Sequence, residues 1–108
     1  MSCTVEYTRA AREDLRNIYE YIAYDLLAPE AAAGQVRRIM RNINALNELP
    51  ARYSLYKEEP WHSKGLRFFP VDNYLIFYFH REALNTVTIV RIMYGGRDIK
   101  NQLDKEQF

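Results

Sequence analysis

The sequence predicts an α+β sandwich of order β-αα-βββ-(α), with an antiparallel helical hairpin packed on a small, mainly antiparallel sheet. Three observations carry that prediction. Apolar residues recur at helical spacing twice between residues 9 and 49, with a short connection around Leu27-Ala28. Three apolar, β-branched and aromatic runs follow after residue 65, separated by Asp72-Asn73 and by Ala83–Asn85. Between these two halves, residues 51–65 carry breakers and little periodicity.

Each element has a local reason. Cys3–Tyr7 alternates, placing Cys3, Val5 and Tyr7 on one face of a short strand. Thr8 is a suitable cap for a helix from about Arg9 to Leu26, whose buried line is Ala11, Leu15, Ile18, Ile22 and Leu26. Glu13 and Asp14 fall in its first turns, where the helix dipole favours negative charge. Pro29 opens a second helix with Ala32, Val36, Ile39, Ile43 and Leu46 inward, closed by Leu49-Pro50. The short connection makes the two helices antiparallel neighbours. Leu66–Phe69, ended by Pro70, reads as a first strand of a meander, and Tyr74–Phe79, apolar on both faces, as its centre. In the last strand, Thr86–Tyr94, simple alternation puts Val87, Ile89, Arg91 and Met93 on one face and Thr88, Val90, Ile92 and Tyr94 on the other. Gly95-Gly96 breaks the chain, and Asp98 can cap a last turn of helix through Leu103. With both helices on one face of the sheet, the other face is expected to be only partly covered, Trp61 and the 51–65 loop being the segment able to fold over it.

Composition sets limits on function. The 108 residues form one domain, 1–108, with 48% hydrophobic residues and enough length for a core without staples. The longest aromatic and aliphatic run, Tyr74–Phe79, is far shorter than a membrane span, so no membrane partner is expected. The charged N-terminus lacks the apolar stretch of a signal peptide, and the single cysteine, Cys3, forms no internal disulfide; together they predict a cytoplasmic protein. The net charge of +1 is too small for a strong nucleic-acid binder. Eleven of the fifteen basic residues are Arg, whose planar fork suits carboxylates and phosphates.

Few residues offer chemistry. Cys3, His62 and His80 are not ligand-spaced, so no metal and no cofactor is expected. There is no nucleophile motif and no glycine-rich phosphate loop. An Arg/Tyr set remains: Arg67 in the first meander strand, Arg91 in the last, Tyr94 and Arg97 at its exit, and His80 and Arg81 at the end of the central strand. Arg91 lies inside an apolar strand and needs a counter-charge if buried. Either it pairs internally, with Glu6, Glu82 or Asp98, or it stands on an open face awaiting a carboxylate or phosphate. Tyr21 and Tyr24 fall on the outer side of the first helix, and Arg37, Arg38 and Arg41 form a strip on the second.

Four stretches carry a family resemblance: Val5–Leu15 with Ile18 and Tyr21-Ile22; Glu59-Pro60-Trp61; Gly65-Leu66-Arg67 through Asn73–Tyr78; and Val90–Ile99. In this order they resemble the RelE/ParE superfamily, the toxins of bacterial type II toxin–antitoxin pairs, also known as plasmid stabilisation proteins. The resemblance implies growth arrest and neutralisation by a cognate antitoxin that lies along the toxin as added secondary structure. Two activities are implied by its two branches. ParE-like members bind DNA gyrase; on that reading Arg67, Arg91, Tyr94, Arg97, Ile99 and Leu103 are the candidate target- or antitoxin-binding residues, and no residue is catalytic. RelE-like members cut mRNA on the ribosome without metal; on that reading Arg91 or Arg97 holds the phosphate, with Tyr94 or His80 in proton transfer. RelE-like nucleases place Lys and Arg where this chain has Phe68 and Leu75. That departure, the opening of the first helix and the Tyr94–Ile99 ending resemble the ParE branch.

Overall fold

The computed structural model describes residues 2–96 and 98–106. Strand β1 (Thr4–Tyr7) leads into helix α1 (Arg9–Glu20), a π turn (Tyr21–Asp25) and helix α2 (Pro29–Asn44). A short helix α3 (Trp61–Lys64) precedes strands β2 (Arg67–Val71), β3 (Tyr74–Arg81) and β4 (Thr86–Tyr94), and helix α4 (Ile99–Asp104) follows. The sheet order is β1-β4-β3-β2. The meander β2-β3-β4 is antiparallel, and β1 joins β4 in parallel. The α+β fold and the β-αα-βββ-α order are those expected from the sequence; α3, inside the stretch expected to be irregular, is an addition.

Helices α1 and α2 cover one face of the sheet. Ala11, Ile39, Ile43 and Leu46 meet Phe69, Ile76, Tyr78, Val87, Ile89 and Ile92 there. Thr8 fixes where α1 begins. Its hydroxyl accepts from Ala11 N at 3.1 Å and donates to Val90 O at 3.0 Å, so one side chain caps the helix and ties it to β4.

Four expectations are corrected. The second face of the sheet is not open. Trp61, Leu66, Phe77, Phe79, Val90, Met93 and Leu103 form a second core there, closed by α3 and α4. The clean alternation along β4 also fails. Phe77 pairs with Arg91 while Tyr78 pairs with Ile89, so β4 holds one extra residue. This bulge flips the facing, so that Val87, Ile89 and Ile92 share the helical core while Val90 and Met93 share the other. Leu26, too, leaves the buried line of α1. The π turn shifts the helical register, and Leu26 emerges exposed.

Finally, Pro70 does not end β2, because its missing N–H falls on the outer edge. Phe68 N, two residues earlier on the same side, points away from β3 to Ser54 O.

Candidate functional site

Strand β1 stops pairing at Tyr7 and Ile89, which leaves the last turn of β4 with an uncovered edge. Asp14 of α1 fills it. Its Oδ2 accepts from Ile92 N at 2.9 Å and from Arg91 Nε at 2.7 Å, while Oδ1 accepts from Arg91 Nη2 at 3.0 Å. The third arm of Arg91, Nη1, donates to Glu106 just beyond α4. Only 11% of the Arg91 side chain is exposed. Asp14 beside it holds the guanidinium pKa above its ordinary value, outweighing the opposing effect of burial. Internal pairing is therefore the outcome for Arg91, but with Asp14 and Glu106 in place of Glu6, Glu82 or Asp98. Nor does Asp14 serve the helix dipole from the first turn; it has turned to the sheet edge.

Beside this clasp runs a groove of about 730 Å³ between α1, the π turn and the ends of β3 and β4. Its floor includes Ile18, Ile22 and Ile92, and its rim includes Tyr21, Leu26, Tyr74 and Tyr94. Tyr74 and Tyr94 meet edge-to-face with ring centroids 6.0 Å apart. Burial raises the Tyr74 phenol above its ordinary pKa, and the neighbouring Tyr94 and Tyr21 add to the shift. The Tyr94 ring lies across Gly96, where an added Cβ would sit 2.6 Å from it. Half of Tyr94 and half of Tyr21 remain exposed. A cleft with an apolar floor and half-exposed phenols suits a protein segment better than a small polar substrate.

The remaining candidates scatter. Arg67 donates from Nη1 to Tyr53 O at 2.7 Å and is spent on anchoring the 51–56 loop to β2. His80 pairs with Val87 at the far end of the β3-β4 hairpin, whereas Tyr94 pairs with Tyr74 at the near end. Six residues of strand separate those ends, about 20 Å. Ile99 packs against the second core and Leu103 is fully buried within it. Leu103 therefore has no surface to offer a partner in this state, because α4 turns it under the sheet. Arg97 lies outside the described residues. Phe68 and Leu75 both pack on the second core, Phe68 stacking on Phe77 at 6.0 Å.

The sequence reading overlooked Asp14 as a site-forming residue, and nothing local marks it. The rim is partly legible in the sequence, which puts Tyr21 on the outer side of α1 and Tyr94 among the binding candidates. Among the described residues, no group of three His, Cys, Asp or Glu is placed to hold a metal ion, and no helix is long and apolar enough to cross a membrane.

The β2 edge is closed to strand addition over most of its length, whereas the β1 edge is engaged only at its two ends. Along β2, Ser54–Tyr56 covers the first part through Phe68 N→Ser54 O and Tyr56 N→Leu66 O, and Pro70 supplies no donor beyond it. Along β1, Cys3 N donates to Asn47 O at one end and Arg12 Nη1 donates to Tyr7 O at the other.

Residues 5–99 match the family described as the ParE toxin of the type II toxin–antitoxin system parDE. Among solved structures, the fold is similar to a chromosomal ParDE toxin–antitoxin system from P. aeruginosa. That match has TM-score 0.70 and 22% identity, covering 86% of this chain and 96% of that one. The RelBE2 toxin–antitoxin complex from Mycobacterium tuberculosis matches at TM-score 0.62 and 22% identity, over 87% of this chain and 92% of that one. A free-state mutant of the E. coli toxin RelE matches at TM-score 0.66 but 8% identity, over 94% and 93% of the two chains. No curated protein sequence matches.

Proposed function

The chain belongs to the ParE toxin family of type II toxin–antitoxin systems, and from that premise we propose that it arrests growth by binding DNA gyrase and is neutralised by a cognate antitoxin. The observation that favours the binding mechanism over a nuclease one is the placement of the described catalytic candidates, Arg91, Tyr94 and His80. Metal-free RNA cleavage needs a base, a phosphate-binding cation and an acid around one phosphodiester. Here Arg91 is engaged by two carboxylates, and His80 and Tyr94 stand about 20 Å apart. The two positions where nucleases of the superfamily carry basic groups hold Phe68 and Leu75, which pack in a core.

The antitoxin is assigned to the groove between the helical hairpin and the ends of β3 and β4. The rim of half-exposed aromatics supports this seat, and the covered β2 edge disfavours strand addition on that side of the sheet. The solved relatives that are toxin–antitoxin complexes agree with an antitoxin partner.

The test is a supercoiling assay with purified DNA gyrase, titrating in the chain. Loss of supercoiling with accumulation of cleaved DNA is the expected result. Full supercoiling at excess chain, from a preparation that arrests cells on expression, would falsify the gyrase reading. Cleaved message on ribosomes from the same cells would then establish the nuclease.

A further inference from the structure

Beyond the groove, the tip of the helical hairpin has its own character. Leu27 is 82% exposed, Tyr24 65% and Leu26 55%, all within four residues. Leu27 also sits at φ +54°, in the left-handed region. That position normally goes to glycine or asparagine at a helix end, since a leucine there is strained by its Cβ. The strain is local to a side chain that contributes almost nothing to the core. Within this stretch of chain the charge is of one sign. Residues 20–30 contain Glu20, Asp25 and Glu30 and no Lys or Arg. All three are exposed, and none is in an ion pair among the described residues.

Resting on the toxin reading, we propose that this tip, Tyr24 and Leu27 with the exposed Glu20, Asp25 and Glu30 on the same short stretch of chain, is the surface that grips the toxin's target. The target presents there an apolar pocket rimmed by Lys or Arg. Charge complementarity selects this occupant. A second copy placed tip to tip would bring two acidic stretches together, which repels. An anionic membrane would repel the tip in the same way. An apolar knob with acidic neighbours instead fits the usual anatomy of an interface, a dry anchor in a charged surround. Tyr24 and Leu27 lie outside the lining of the groove, so target and antitoxin surfaces are adjacent but separable.

The key variant is Leu27→Gly. It removes the knob and relieves the backbone, so it should raise the melting temperature by about 4 °C. It should also weaken growth arrest, scored as surviving colonies on expression, by at least about tenfold. A residue with only a structural role cannot lose function while gaining stability. Tyr24→Ser and Glu30→Lys, both at exposed positions, should weaken growth arrest likewise with little change in melting temperature, and serve should Leu27→Gly fold poorly. With purified gyrase, wild-type inhibition should weaken between about 50 and about 300 mM salt, and Glu30→Lys should flatten that dependence.

Variants that arrest growth as the wild type does overturn the proposal while leaving the gyrase reading intact. A wild type that arrests cells without inhibiting gyrase sinks the gyrase reading, and the tip is then judged on growth arrest alone. A wild-type dimer in sedimentation that Leu27→Gly converts to monomer makes the occupant a second copy and overturns the proposal. A wild-type chain with neither effect removes the toxin reading and this inference together.

Discussion

The two ends of the helical hairpin are built in opposite ways. At its root, Thr8 caps α1 and bonds β4 with the same hydroxyl, and Asp14 accepts three hydrogen bonds from Arg91 and Ile92. At its tip, no side chain from Glu20 to Glu30 enters a hydrogen bond or ion pair among the described residues. There the helix loosens into a π turn, a leucine holds a left-handed backbone and apolar surface faces outward. The root saturates its polar groups because it must hold α1, β4 and the segment after α4 in one geometry. The tip keeps strain and apolar surface that the chain's own packing does not use. The difference teaches where to look for partners in a small fold: in the part that its own packing leaves unsatisfied.

The largest expected effect breaks the root. Asp14→Ala leaves Arg91 mostly buried with one carboxylate fewer and leaves Ile92 N without its acceptor. Removing one partner of such a pair costs about 3–5 kcal/mol, and the value here should fall near the lower end because Glu106 remains. Urea unfolding reads it. If Asp14→Ala loses less than about 1 kcal/mol, the clasp behaves as a surface ion pair and the contrast between root and tip is wrong. Leu27→Gly at the tip should move stability in the opposite direction.

A middle-sized effect comes from pH. Tyr78 is fully buried under the helices and donates to Pro50 O at 2.9 Å, and burial pushes its phenol up to about 12. The neutral form is thus favoured in the folded state. Once the pH passes the ordinary phenol value, the unfolded chain releases a proton that the folded chain keeps. Stability is therefore complete below about pH 10 and falls progressively toward pH 12, by up to about 2 kcal/mol from this group. Unfolding at pH 8 and about pH 11 measures the loss. Tyr78→Phe should shrink it.

Most of the fold was legible because its signals are local. The turn at Asp72-Asn73, Pro29 at the start of α2 and the inward line Ala32–Leu46 need only neighbours in sequence to be read. The site was less legible because its signals are relational. A bulge in β4 is set by pairing with Phe77, so alternation alone placed Arg91 and Met93 on the face of Val87. The partners of Arg91 come from α1 and from Glu106, two residues past α4, remote in sequence on both sides. Leu26 matched helical spacing, and only the π turn, a feature without a composition signature, removed it from the buried line. Burial of Leu103 depended on α4 folding back under a face that looked open.

The smallest effect sharpens the comparison at the root itself, where one group escapes saturation. The Tyr7 hydroxyl is buried and makes no hydrogen bond among the described residues, and burial raises its pKa above the ordinary phenol value. An unpaired buried hydroxyl is a net cost, whereas a paired one is a modest gain. The same substitution should therefore have opposite signs at two tyrosines of one core. Tyr78→Phe orphans Pro50 O and should lose about 1 kcal/mol. Tyr7→Phe removes only an unsatisfied atom while keeping the ring against the helical core, and should gain up to about 1 kcal/mol. Parallel urea curves at neutral pH decide it. If Tyr7→Phe is destabilised as much as Tyr78→Phe, the hydroxyl has a partner in solution, a bound water being the simplest, and the root is saturated throughout. If it gains stability, that buried corner of β1 joins the tip as a place where the chain carries a local cost.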